Sequence, residues 1–296
     1  MEPNFVHSTC PVCDGNVFST SLETKDYFLT QEPFFIVDCQ SCGFRFTNPI
    51  PAENKIGSYY KSDNYVSHSS SKKGFVNRVY NTVRTYTLKQ KVTLIQKRAK
   101  GSSLLDIGAG TAHFLNQAKL HGFQVEGLEP DSDAVSFAKQ YFQIDLKPLA
   151  TLPSFDDASF DVITMWHVLE HVYHLQRDLE VITRKLKRDG VFIVAVPNID
   201  SHDAKHYGPF WAALDVPRHL YHFQKSTISL LMERYGMELT EVLPMKFDSY
   251  YVSMLSEKYK GGNLMKAFFR GFISNLNAKK GGYSSQIYVF RFKNAF

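Results

Sequence analysis

The sequence predicts an α/β protein: a doubly wound, mostly parallel sheet with a small cysteine-rich module at its N-terminus. Three observations predict it. Ser103–Leu115, S-L-L-D-I-G-A-G-T-A-H-F-L, reads as a buried strand, a tight glycine turn and the start of a helix. Phe123–Leu128 reads as a second strand, ending at Glu129, 21 residues beyond Gly108. All four cysteines lie within the first 42 residues, in two C-x-x-C pairs.

The cysteine pairs come first in the chain. Cys10-Pro-Val-Cys13 and Cys39-Gln-Ser-Cys42 are separated by 25 residues. Each pair can turn two thiolates toward one ion in a tight knuckle, and two pairs complete a tetrahedral site. With strands at Asn16–Thr20 and Phe34–Asp38 between them, residues 1–51 read as a zinc ribbon with a structural zinc. Disulfides fit less well, because no secretion signal precedes the pairs. The ribbon carries Lys25 and Arg45 against Glu2, Asp14, Glu23, Asp26, Glu32 and Asp38. That acidic balance argues against nucleic acid as a partner.

Residues 52–100 form the next region. Tyr59, Tyr60, Tyr65 and His68 precede a serine-lysine run, S-S-S-K-K, that reads as a flexible loop. A long helix is expected over Gly74–Lys100.

The glycine turn then identifies a nucleotide-type site. Strand, glycine turn and helix open a ligand-binding βαβ unit, and the free N–H groups of the helix start face the ligand. A carboxylate about 20 residues on, at the tip of the second strand, is placed for a ribose diol. The dinucleotide fingerprint wants a third Gly or Ala where this chain has His113. Asp106 and Asp131 surround the turn with negative charge that a pyrophosphate would meet at close range. S-adenosylmethionine, with a sulfonium and an ammonium and no phosphate, suits that rim better.

Here the chain resembles the class I S-adenosylmethionine-dependent methyltransferases, of the methyltransferase-23-like kind. Asp106–Ala112, D-I-G-A-G-T-A, matches their first motif, with Gly108, Ala109 and Gly110 at the cofactor. Leu128–Asp131, L-E-P-D, matches the acidic loop after their second strand and places Glu129, Pro130 and Asp131 there. Phe160–His171, F-D-V-I-T-M-W-H-V-L-E-H, looks like the fourth strand and its turn. Leu186–Asn198, L-K-R-D-G-V-F-I-V-A-V-P-N, looks like the fifth. The resemblance covers roughly residues 101–296. It implies a seven-stranded Rossmann-like methyltransferase sheet with an antiparallel last strand. It also implies an adenine-side loop at Leu149 and Ala150, and a lid from the preceding segment, in which Tyr65 and His68 face the cofactor or substrate.

The remaining elements follow in order. Asp131 caps a helix to Tyr141, and Ile144–Leu146 is a short third strand. Asp161–Met165 is the fourth strand, with Trp166 and His167 at its carboxyl end, where open α/β sheets bind ligands. Leu175–Leu186 is a helix and Gly190–Val196 the fifth strand. Residues 201–223 show little regular pattern and should overhang the site, carrying Arg218, His219, Tyr221 and His222 on the substrate side. Thr227–Tyr235 is a helix, Met237–Pro244 the sixth strand and Gln286–Phe292 the last. Between those strands, within the insertion at 255–283, Leu264, Phe268, Phe272 and Leu276 mark one face of a helix over 261–280. From Lys258 onward there are eight basic residues and no acidic ones, more than the whole net charge of +5. That helix reads as packed on the core, as a substrate wall, or as a peripheral membrane or dimer contact.

Methyl transfer needs a nucleophile held in line with the methyl group and a group to take its proton. Histidine suits the second task; His171 and His219 are the candidates. His167, His171 and His174 share a helical spacing that suggests a metal set, but a capping or solvated face accounts for it, since no matching carboxylate cluster is evident. The expected activity is therefore methyl transfer from S-adenosylmethionine to a small molecule such as a sugar, nucleotide-sugar or related metabolite. A quinone or lipid acceptor, or RNA or protein reached through the ribbon, is the alternative. No run of 18 apolar residues exists, so no spanning helix is expected. The N-terminus has no basic start followed by an apolar run, and the expected location is cytoplasmic. No pattern specifies the oligomeric state.

Overall fold

The computed structural model describes residues 4–60 and 75–293. Its strands are β1 (Phe18–Lys25), β2 (Pro33–Cys39), β3 (Arg45–Thr47), β4 (Ser103–Ile107), β5 (Gln124–Leu128), β6 (Phe160–Trp166), β7 (Leu186–Pro197), β8 (Tyr221–His222), β9 (Met237–Pro244) and β10 (Ser285–Phe292). Its helices are α1 (Glu53–Ile56), α2 (Phe75–Arg98), α3 (His113–Leu120), α4 (Ser132–Phe142), α5 (Leu175–Lys185), α6 (His202–Tyr207), α7 (Lys225–Glu233), α8 (Asp248–Lys260), α9 (Leu264–Leu276) and α10 (Ala278–Gly281).

The large sheet runs β5-β4-β6-β7-β10-β9. The first four strands are parallel, and β10 lies antiparallel between β7 and β9. Alternate residues of each strand feed opposite faces, as the period of a strand requires. Leu105, Ile163 and Phe192 enter one apolar cluster, and Leu104, Val162 and Ile193 enter the other. Helix α5 closes the first face with Leu175, Leu179 and Ile182, all buried and spaced i, i+4, i+7. Asp131 caps α4 as expected: the Ala134 N–H donates to its carboxylate at 2.8 Å.

Six strands stand here, among the described residues, where seven were expected. The expected third strand at Ile144–Leu146 contracts to one parallel bridge, Leu128 to Lys147. Pro148 follows at once, has no N–H to continue a ladder, and leads into a 3-10 turn over Leu149–Ser154. Residues 201–223 are more ordered than their sequence suggested, with α6, two 3-10 turns and β8.

Strand β8 leaves the large domain and joins the cysteine-rich sheet, whose order is β1-β2-β3-β8. Arg45 pairs with His222, and Phe46 with Tyr221. Phe44, Phe46, Tyr221 and Phe223 pack ring against ring there. They belong to the same apolar cluster as Ile163 and Phe192. The N-terminal sheet thus shares a core with one face of the large sheet.

Candidate active site

The site is built where β4, β5 and β6 end. After Ile107 the chain turns at Gly108 (φ +72°) and Gly110 (φ +52°), left-handed conformations that glycine adopts without penalty. Gly108 is also needed for space: a Cβ there would lie 2.4 Å from a Val168 methyl. The turn leads into α3, through a left-handed Ala112.

Glu129 faces this turn from the end of β5. The Gly110 N–H donates to its Oε2 at 2.7 Å, and the Asp131 N–H to its Oε1 at 2.9 Å. Each oxygen keeps a further lone pair for a ligand hydroxyl. Burial raises the carboxyl pKa, against these two N–H groups. Pro130 and Asp131 follow at the exposed rim. Asp106, at the end of β4, is buried. Burial lifts its pKa to about 7, although the Thr164 hydroxyl donates to it at 2.5 Å and the Lys91 charge lies nearby. Leu149 and Ala150 lie on the exposed 3-10 turn beyond the bridge at Lys147.

At the end of β6, Trp166 stacks edge-on with Phe114 at 5.4 Å. Its buried Nε1 has no hydrogen-bond partner among the described residues. Sequence reasoning missed Lys91, one of several basic residues on α2. Its ammonium sits 4.2 Å over the Trp166 ring. Burial lowers its pKa to about 8 against the pull of Asp106 and Asp248. His167 has φ +58° and is gripped from both sides, with Nδ1 3.3 Å from Glu170 Oε1 and Nε2 3.1 Å from Asp248 Oδ2. Burial alone would lower its pKa, but the two carboxylates raise it to about 10. Asp248, which begins α8, was also missed.

His167, His171 and His174 do not share a helical face. Leu169–His171 is a 3-10 turn, and His174 turns outward to Glu53 at 3.1 Å. His171 instead meets His219, with ring centroids 4.6 Å apart. Burial and the neighbouring His219 lower the His171 pKa to about 4.

The expected substrate-side residues fare differently. Tyr65 and His68 lie outside the described residues. Arg218 is 2% exposed and spends its guanidinium on the fold: it donates to Asp215 at 3.0 and 2.7 Å, to Asp26 at 2.8 Å and to the Tyr59 carbonyl at 2.9 Å. Tyr221 and His222 are buried by the pairing of β8 with β3. Their side chains serve the junction of the two sheets, not a surface open to substrate.

At the other end of that junction, all four cysteine sulfurs lie within 4.8 Å of one another. Cys10 and Cys42 are 3.7 Å apart, Cys13 and Cys39 3.5 Å. All four are free thiols. A tetrahedral ion about 2.3 Å from each sulfur separates them by about 3.8 Å, so the set fits a zinc ion. Burial would raise the Cys39 thiol, but the N–H groups of Cys42 and Ser41 hold it at about 7.

A family model described as a methyltransferase domain matches residues 80–242. The chain belongs to that family. It is 26% identical over 176 residues to a protein of Mycolicibacterium smegmatis named a probable S-adenosylmethionine-dependent methyltransferase. That match covers 57% of this chain and 64% of the relative, so the chain spans just under two thirds of the relative's length. The solved structure of magnesium protoporphyrin IX methyltransferase from Synechocystis PCC 6803, with bound SAH, shares the fold. Its TM-score is 0.54 at 13% identity, over 82% of this chain and 100% of that one.

Proposed function

We propose that the protein transfers a methyl group from S-adenosylmethionine to a small-molecule acceptor, of the sugar, nucleotide-sugar or related metabolite class. The observation that carries the reading is Glu129 facing the Gly108–Gly110 turn, with the buried carboxyl of Asp106 and the unpartnered Trp166 Nε1 beside it. Glu129 would hold the ribose diol. Asp106 supplies negative charge for the ammonium end, and Leu149 and Ala150 border the adenine side. The cofactor supplies an electrophilic methyl on a sulfonium. The protein orients the acceptor and takes its proton, a task that falls to His171 and His219. Calorimetric titration tests this: S-adenosylmethionine should bind, and binding of a dinucleotide alone would sink the reading. The proposed organisation is a zinc module over 1–51, a lid and helix over 52–100, and the catalytic domain over 101–296.

The cysteine module is proposed to hold a structural zinc. With four thiolate ligands it leaves no open position for catalysis. Elemental analysis should find about one zinc per chain at this cluster, lost on Cys10→Ser combined with Cys39→Ser. Two disulfides in the native protein would refute it.

A second reading, a lipid-type or quinone acceptor taken at a membrane surface, is favoured by α9. Its inner face is small: Ala267, Gly271 and Ser274 are buried, and a Cβ on Gly271 would meet the Tyr250 backbone at 2.9 Å. Its large apolar residues point outward, with Met265 82% and Phe268 67% exposed, and Leu264, Phe269 and Leu276 likewise. Lys266 and Arg270 lie on the same helix, and Lys279 and Lys280 follow. An apolar stripe with basic neighbours suits an anionic bilayer surface. No described helix is long and apolar enough to cross a membrane. The protein should co-sediment with vesicles containing anionic phospholipid. Phe268→Ser with Phe269→Ser should weaken that at least about tenfold, given roughly 1.5–3 kcal/mol per buried ring. Vesicle binding unchanged by the pair of substitutions would remove α9 as the contact.

A further inference from the structure

We propose that Glu170, His171 and His219 form a binding site for a divalent transition-metal cation, separate from the cysteine cluster. One donor atom from each lies within 4.8 Å of the others. Three observations on these side chains point to a cation.

The first is the state of Glu170. It is completely buried; Oε1 is paired with His167 Nδ1 at 3.3 Å, while Oε2 has no partner among the described residues. A buried carboxylate normally accepts several hydrogen bonds, and one oxygen left without any is costly. The groups that face it are imidazoles: His167 Nδ1 at 3.3 Å and His219 Nε2 at 4.0 Å from Oε1. His167 is also held by Asp248 on its other nitrogen.

The second is the tautomer of the two histidines. His171 Nδ1 lies 2.9 Å from the Arg218 carbonyl, and His219 Nδ1 lies 2.9 Å from the Ala213 carbonyl. A carbonyl can only accept, so in His219 Nδ1 carries the hydrogen and Nε2 the lone pair, whereas His171 Nδ1 also meets the Tyr60 hydroxyl at 3.0 Å, which can donate or accept. Donation from the far nitrogen to a backbone carbonyl is how a metal-binding histidine is oriented and its tautomer fixed. Here the His219 ring is set that way.

The third is where the ligands come from. Glu170 and His171 sit on the turn after β6, whereas His219 belongs to the segment after β7. That segment is anchored by the bond of Arg218 to Asp26 and tied to the turn where the Leu220 N–H donates to the Glu170 carbonyl at 2.8 Å. Two rigid pieces of backbone thus present a carboxylate and two imidazoles to one point. A cation about 2.1 Å from each donor needs them roughly 3 to 4 Å apart, a closure within reach of small side-chain rotations. Two imidazoles with one carboxylate suit zinc, manganese or iron(II). A set this hard would bind manganese, which the four thiolates disfavour. A cation held on these Nε2 atoms would take His171 and His219 out of the role of proton acceptor given them above, while the cofactor reading, which the titration tests separately, is unaffected.

The probe is Mn2+, titrated into the full-length protein after dialysis against EDTA and followed by electron paramagnetic resonance. Saturable binding of one ion per chain is expected. Glu170→Gln and His219→Gln should each weaken it by about tenfold or more, whereas His174→Gln, on the outward-facing neighbour, should leave it unchanged. A second measurement needs no variant: wild-type crystals soaked in Mn2+ should show an anomalous peak between the three side chains. Absence of saturable binding, binding kept by both substitutions, or a peak elsewhere would each overturn the proposal. Should the variants fail to fold, the peak decides.

Discussion

Glu129→Ala is expected to lower affinity for S-adenosylmethionine by roughly 100-fold or more. The carboxylate keeps one free lone pair on each oxygen after accepting from Gly110 and Asp131. Two ribose hydroxyls donating to it would make charge-assisted hydrogen bonds of about 1.5–3 kcal/mol each, and every 1.4 kcal/mol or so is tenfold. The substitution also strips the Gly110 and Asp131 N–H groups of their acceptor, so the turn loosens together with the contact. Glu129→Gln separates the two effects, because its amide oxygen can still accept from one N–H while the charge is gone. Calorimetry on both variants, with thermal melts to confirm folding, gives the comparison. Wild-type affinity in the alanine variant would remove Glu129 from the cofactor site.

Arg218→Met is expected to cost about 3–5 kcal/mol of stability. The Arg218 and Asp26 side chains are 2% and 0% exposed, and Asp215 completes the triad. Removing the arginine strips the buried Asp26 of its counter-charge and Asp215 of its strongest one. Lysine should not rescue the loss. Four hydrogen bonds to three different residues use the planar fork of arginine, and one ammonium cannot reach them all. Asp26→Asn with Asp215→Asn in the Arg218→Met background should restore part of the stability by removing the stranded charge. Urea unfolding measures all of these. A loss below about 1 kcal/mol, the size of a surface pair, would show that the triad is not a structural centre.

What was legible in the sequence had short-range causes. Gly108 and Gly110 announced a turn whose φ values only glycine adopts freely, and the Asp131 cap needs only the next three residues. The cysteine pairs work through their own spacing. Four features were misread, two of them for lack of a local signal or by overlooking one, and two because they depend on distant partners. Helix α8 was missed because its buried face is Ser249, Ser253, Ser256 and Glu257, with Val252 as the one large apolar residue; no apolar period marks it. The expected third strand was lost to Pro148. Arg218 read as a substrate contact because its carboxylate partner Asp26 lies 192 residues away. His171 was legible as a candidate, but its meeting with His219 follows from how the segment after β7 folds back.

The pairing of β3 with β8 has a consequence for biosynthesis. Arg45 and His222, which register opposite each other, are 177 positions apart, so the fourth strand of the N-terminal sheet leaves the ribosome long after the third. At about 5–20 residues per second the delay is roughly 10–35 seconds. Throughout it, the aromatic face of Phe44 and Phe46 has neither Tyr221 nor Phe223 to cover it. The nascent chain therefore spends that interval with an uncovered sheet edge and apolar face, the form in which chaperone contact or aggregation is decided.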